Sequence, residues 1–419
     1  MRIILVSLFA LILAGCVNEF DPNLPDGPIR LVVEGGITNG ERPYTVRLSQ
    51  TQQLDFTFAA APFQPAQNAI VTITDDLGAE ETLVEIEPGF YSTSDSDGGI
   101  KGEVGRKYQL SIQTGNNRFY ASTWDEMLPV ASLDSITSNL EFRKDNIESA
   151  LEPNAILNFA FNANPDDSAN FFPDIGTRIG QPDYNGIGGF LIGNDRSLVN
   201  ISSVSENNIG LRLGVFTNDP AGQRNFYRWR VRGTFDVFTQ PERHVVLGEI
   251  SNPNANVAVR NIYWVPKDCC ARCWINFDLG SLFISDDRLK NGQRFFKETA
   301  LLPVTAFIFQ NRGLFEIEQS SLTFEAFQFY QGIQRQVDKV GSIFDTAPAL
   351  SISNVSNPDD PNDLVLGYFV VSAVSIKKKW INKRDIPVET GGFIYSDDCL
   401  EISNSIMNSS NIRPPSWPD

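Results

Sequence analysis

The chain has a single histidine, His244, among 419 residues. One imidazole excludes zinc catalysis built on histidine ligands, and a nucleophile–base–acid triad would have to run through it. No Gly-x-Ser-x-Gly segment supplies a serine at a strained strand-to-helix turn. His244 lies in Glu242-Arg243-His244-Val245-Val246, a strand-like stretch, and reads as a structural residue. Positive charge is also scarce: 34 Lys and Arg against 51 Asp and Glu leave a net charge of −17. Such a field repels phosphate backbones, which excludes nucleic acid as a partner. Among so many carboxylates no pair stands out for glycoside hydrolysis. The sequence therefore assigns no catalytic residue, no cofactor and no metal, and the chain reads as a non-enzyme. No stretch beyond residue 16 offers the roughly 20 apolar residues a membrane-spanning helix needs.

What is present begins at the first residue. Met1-Arg2 is a short basic start, and Ile3 to Ala14 is apolar apart from Ser7. This run is too short to span a bilayer but suits the core of a signal peptide. Leu13-Ala14-Gly15-Cys16 follows, with small residues to enter a peptidase groove and a thiol to be acylated. Residues 1–15 are thus expected to be a lipoprotein signal peptide, and Cys16 the lipidated residue. Two or three acyl chains anchor stably, since each buried methylene contributes about 0.8 kcal/mol. Val17 at the next position carries no inner-membrane retention signal, and Glu19 and Asp21 make the mature start acidic. The expected place is the outer membrane, facing the cell exterior, with outer-membrane lipid as the first partner through Cys16.

Four further cysteines, Cys269, Cys270, Cys273 and Cys399, suit an oxidising compartment. They are disulfide candidates in three possible connectivities. Adjacent Cys269 and Cys270 are not expected to pair with each other. One of them is expected to reach Cys273 and the other Cys399. The Cys270-x-x-Cys273 spacing also suits a four-thiolate zinc site, although export favours disulfides.

Phe, Val, Ile and Thr usage leans towards sheet. Residues 16–28 read as a lipidated tether. From Ile29 the pattern alternates: Tyr44, Val46 and Leu48; Val71 and Ile73; Tyr108, Leu110 and Ile112. Asp75-Asp76-Leu77-Gly78 and Thr114-Gly115-Asn116-Asn117 punctuate it as turns. Residues 29–129 are predicted to form an immunoglobulin-like or transthyretin-like β-sandwich. Residues 131–400 are predicted to be a larger β-rich domain, followed by a tail over 401–419. Its strand candidates are Ile156–Phe161, Gly210–Val215, Tyr227–Phe238, Val245–Ile250, Val257–Trp264, Ala306–Phe309 and Gly367–Ile376.

One segment breaks the pattern. Phe324, Phe327, Tyr330, Ile333, Val337 and Val340 recur at spacings of three or four, which predicts an amphipathic helix near 322–340. Ser320, Ser321 and Thr323 offer N-cap oxygens, and Gly341 a C-terminal stop. The class is all-β with this one helix. The glycine-rich stretch from Asp174 to Asn194 is a candidate binding loop through Tyr184, Phe190 and Leu191. Asp95-Ser96-Asp97-Gly98-Gly99 starts like a calcium loop but has Arg106 at the twelfth position. Asp359, Asp360 and Asp363 cluster among prolines and read, like it, as solvated turns.

Several blocks follow in order: Leu31 to Thr38, Tyr44 to Ser49, Gly89-Phe90-Tyr91, Asn225 to Trp229, the cysteines with Trp274, Gly341 to Asp345, Ile352 to Val355 and Leu366 to Phe369. In this order the chain resembles a Bacteroidota family of outer-membrane lipoproteins, a domain of unknown function encoded beside TonB-dependent receptors of the SusC type. The resemblance implies an accessory or substrate-binding subunit of such a barrel receptor and brings no catalytic residues. The alternative is a surface structural or adhesive β-module without a transport role.

Overall fold

The computed structural model describes residues 28–52, 64–94, 98–142, 209–222, 224–250, 259–304, 307–337, 351–386, 397–402 and 407–418. Residues 1–15, Cys16, Tyr184, Phe190, Leu191, the Ile156–Phe161 segment, Asp95 to Asp97, Val340 and Gly341 lie outside them. The chain is all-β with a single helix among the described residues.

The first strands are β1 (Leu31–Thr38), β2 (Thr45–Gln50), β3 (Gln64–Pro65), β4 (Ile70–Asp75) and β5 (Glu80–Thr82). After them come β6 (Val84–Glu87), β7 (Phe90–Ser92), β8 (Lys107–Gln113), β9 (Phe119–Ser122) and β10 (Asp125–Glu126). Their side chains alternate as a pleated strand requires. On β8, for example, Tyr108, Leu110 and Ile112 are buried while Lys107 and Gln113 are exposed. Two sheets result, and the buried sides of both feed one apolar core that includes Val33, Val46 and Leu48 from one sheet and Val71, Ile73 and Leu110 from the other. That shared core makes the pair a sandwich.

The remaining strands are β11 (Leu133–Phe142), β12 (Ile209–Asn218), β13 (Phe226–Phe238), β14 (Val245–Ile250), β15 (Val259–Trp264) and β16 (Arg272–Asp286). Then come β17 (Arg294–Pro303), β18 (Arg312–Leu322), the helix α1 (Phe324–Val337), β19 (Val355–Ser356), β20 (Leu366–Ser372), β21 (Val374–Asn382) and β22 (Met407–Ser410). A sheet ordered β11-β12-β17 faces one ordered β21-β18-β13-β16-β22. Leu213 and Val215 from the first meet Trp229, Phe235 and Phe315 from the second in a common core. β14 and β15 form a separate two-stranded ribbon.

The first sandwich is not a local product of residues 29–129. Its sheets run β20-β1-β2-β7-β6 and β19-β9-β8-β4-β5, so two strands return from beyond residue 350. β20 joins β1 in parallel, from Val32↔Leu366 to Thr38↔Ser372. A parallel partner cannot come from a hairpin and needs a long connection, which here carries the rest of the first sandwich, the second sandwich up to β18, and α1. The close approach requires glycine: Gly367 has φ +85°, and a Cβ there would overlap the Val33 carbonyl. The segment predicted as one strand, Gly367–Ile376, is two strands in different sandwiches, separated by Ala373. The predicted strand Ala306–Phe309 is not one either, because residues 307–309 form a turn that buries Phe307, Ile308 and Phe309.

Ser321 ties the two crossings together. Its Oγ donates to Leu128 O at 2.6 Å and accepts from Ala373 N at 3.0 Å. Beside it, Gln319 is fully buried and satisfied three times. Its Oε1 accepts from Trp229 Nε1 at 2.9 Å and Thr217 Oγ1 at 2.7 Å, and its Nε2 donates to Ala131 O at 2.8 Å. α1 packs over the same junction: Phe327 and Phe329 meet Phe226 and Ile284 of the second sandwich and Tyr368 of the first. Thr323 is the N-cap, accepting from Ala326 N at 3.4 Å. The buried face is centred on Ala326, Phe327 and Phe329, while Phe324 and Val337 at the ends of the predicted stripe are exposed. The helix is covered from two sides, so its buried arc is displaced from the stripe.

The cysteines pair differently from the expectation. Cys273 bonds Cys399, with Cα atoms 5.7 Å apart, and Cys269 bonds Cys270. The physical reason is the pleat of β16. Cys273 shares its inward face with Ile275 and Phe277, which places it in the core beside buried Cys399, while Cys269 and Cys270 stay on the loop before the strand.

Candidate functional site

A cleft of about 460 Å³ opens at one end of the first sandwich. Its walls come from the start of β1 (Ile29, Arg30, Leu31), the end of β2 (Gln50) and the segment Pro65–Gln67. The β8–β9 turn (Thr114 to Asn116), Arg118 and Tyr120 of β9, and Asp363 from the β19–β20 connection complete it. The turn is tight for a local reason: Asn117 N donates to Thr114 O at 2.8 Å with Asn117 at φ 60°. Asn tolerates that left-handed conformation.

Asp363 is the fixed charge of the cleft. Its Oδ2 accepts from Tyr120 OH at 2.8 Å, Asn357 Nδ2 at 2.9 Å and Arg118 Nη1 at 3.4 Å. Burial alone would raise this carboxyl. The bonds from Asn357 and Tyr120, with the Arg118 charge, outweigh burial and hold it below the usual carboxylate range. Tyr120 moves upwards, through burial first and then through its bond to the Asp363 carboxylate. The lining adds Arg30 and Arg118, the amide residues Gln50, Gln67 and Asn116, and the apolar Leu31, Pro65 and Ala66. The volume falls in the range of small-ligand pockets, about 300–1,000 Å³. The lining can hydrogen-bond a polar solute as both donor and acceptor.

A second hollow, of about 620 Å³, is walled by Asp75, Glu80, Glu81, Lys101, Glu103 and Arg106 among others. Two of its acids are already engaged, Glu81 with Arg42 at 2.5 Å and Asp75 with Arg106 at 2.6 Å. It is the weaker candidate.

Among the described residues, the four cysteines and His244 are not brought to the cleft, and Tyr184, Phe190 and Leu191 lie outside those residues. Cys269, Cys270, Cys273 and Cys399 lie in the second sandwich and its loops. His244 follows a short 3-10 turn there, with Nδ1 3.2 Å from Asp397 Oδ2, and Lys267 Nζ reaches the other Asp397 oxygen at 2.5 Å and Glu401 at 2.6 Å. These bonds fasten the C-terminal segment onto the preceding loops. Of the clustered acids read as solvated, Asp360 does cap a turn by accepting from Asn362 N, but Asp363 folds back onto β9. Its lone sequence signal was a position six residues after Asn357, which holds it. Nothing local pointed to Tyr120, 243 positions away.

Fold and cleft together define a two-sandwich β-protein with, among the described residues, one helix at the junction and a polar cleft beside the start of β1. The chain belongs to the family described as Domain of unknown function (DUF4249), whose model matches residues 17–378. No curated protein and no solved structure matches it.

Proposed function

We propose that this protein is a Bacteroidota outer-membrane lipoprotein, held through acylated Cys16 and facing the cell exterior. In this reading it serves a SusC-type TonB-dependent receptor as an accessory, substrate-binding subunit. One observation carries the binding role: the polar cleft lies where β1 begins, at Ile29 to Leu31. The tether of residues 16–28 extends to at most about 45 Å. The cleft therefore stays close to the membrane plane, where a barrel mouth opens, and anchoring in that plane raises its effective concentration there. The match beginning at residue 17, directly after the lipidation cysteine, agrees with this reading.

Two measurements test it. Growth with a labelled fatty acid is expected to label the native chain and not the Cys16→Ala variant, which should leave the membrane fraction. Gentle solubilisation of outer membranes is expected to recover the lipidated chain with a stoichiometric TonB-dependent barrel. Recovery of the chain alone, or only with itself, across several mild detergents would overturn the transporter role in favour of a free-standing surface module.

A further inference from the structure

The two disulfides differ in what they can do for the fold. Cys273–Cys399 joins positions 126 residues apart, so it removes a large loop-closure entropy from the unfolded chain. Cys269–Cys270 joins neighbours and closes no loop, so cross-linking gives it almost no stabilising role. Access separates them in the same sense. Cys273 and Cys399 are fully buried, whereas Cys269 is exposed and Cys270 half-buried. Thiol exchange follows access.

The exposed pair has a built neighbour. The Cys269 and Cys270 sulfurs and a carboxylate oxygen of half-buried Asp398 all lie within 4.8 Å of one another. Asp398 Oδ1 accepts from Leu400 N at 2.9 Å, which fixes the side chain. The loop is tied down as well: Cys270 O accepts from Thr239 Oγ1 at 2.9 Å and Cys399 N at 3.2 Å. The bonded pair and the Asp398 carboxylate thus share one place at the surface, on a loop held by its own backbone bonds.

We propose that Cys269 and Cys270 form a reducible surface couple whose dithiol, with the Asp398 carboxylate, binds one thiophilic metal ion. A small dithiol reductant attacks one sulfur, forms a mixed disulfide and then closes on itself. The protein disulfide gains two electrons and two protons, and the reductant leaves as its cyclic disulfide. Metal entry then displaces the two thiol protons, since the thiolate is the ligand. Soft sulfur ligands select soft cations.

The test uses the full chain and cadmium(II) alone as the probe, followed by its sulfur-to-metal charge-transfer absorption. After limited dithiol treatment and removal of the reagent, one cadmium per chain is expected, with Cys273–Cys399 intact by peptide mapping. Untreated protein should bind none at that site. Cys269→Ser and Cys270→Ser should each abolish the signal, and Asp398→Asn should weaken binding by about tenfold or more, as loss of an oriented metal contact does. Unchanged cadmium uptake in the cysteine variants would overturn the proposal. So would opening of Cys273–Cys399 before the exposed pair, or absence of uptake when both thiols are alkylatable. An Asp398→Asn variant with native affinity would remove the carboxylate from the site.

Discussion

Asp125 is a carboxylate in the wrong medium, and replacing it should strengthen the fold at neutral pH. It sits on β10, 8 % exposed, at the junction where α1 begins. Its Oδ2 accepts from Thr323 Oγ1 at 3.2 Å and its Oδ1 from Glu126 N at 3.1 Å. Neither donor is charged, and Glu325 and Glu126 add repulsion. Burial, the largest influence, pushes the carboxyl up to about 6 from 3.8. The sign follows from linkage. Because the folded-state value is raised, the native protein binds the proton more tightly than the unfolded chain does. The contribution of Asp125 to stability is greatest below about pH 4 and declines as pH rises to about 6. Two units correspond to about 3 kcal/mol. Asp125→Asn keeps an oxygen for Thr323 and carries no charge. Urea unfolding of both proteins from about pH 4 to about pH 8 should show the variant gaining about 2–3 kcal/mol on the native chain across that interval. A difference between the two that stays constant with pH would refute the reasoning.

Gln319→Leu should cost about 3 kcal/mol or more in the same assay, since Trp229 Nε1, Thr217 Oγ1 and Ala131 O lose a partner in a buried site. Gly367→Ala should detach β20 from β1, because both the positive φ and the Val33 carbonyl oppose a Cβ; hydrogen exchange should rise in β1 and β20 before the second sandwich responds. Cys273→Ser should destabilise by about 2–5 kcal/mol, while Cys270→Ser should stay within about 0.5 kcal/mol of native; similar losses in both would contradict the division of roles between the two bridges. Tyr120→Phe removes a donor that holds the Asp363 carboxyl down, so carbon-detected titration should find that carboxyl shifted upwards in the variant.

Much of the fold was legible because it is written in short-range periodicity. Alternation along Tyr108, Leu110 and Ile112 specifies a strand and its buried side without reference to any partner. The three-and-four spacing of Phe327, Tyr330, Ile333 and Val337 specifies a helix in the same way. The turn chemistry at Thr114–Asn117 is equally local. The long β16 carries the same signal, with Cys273, Ile275, Phe277 and Leu279 on one side, although no strand is among the sequence expectations there. Charge, the single histidine and the apolar run before Cys16 also belong to the sequence alone.

Partners were decided by the tertiary structure. A strand pattern does not say which strand lies beside it, so the return of β19 and β20 to the first sandwich had no local signature. Pairing of Cys273 with Cys399 depends on both being carried into one core from positions 126 apart. The cleft likewise exists only because Asp363 is brought onto Tyr120 across 243 positions. Periodicity fixes which face of an element is apolar. What that face meets is set by the packing of the whole chain, where burying apolar area and satisfying every buried polar group must succeed together.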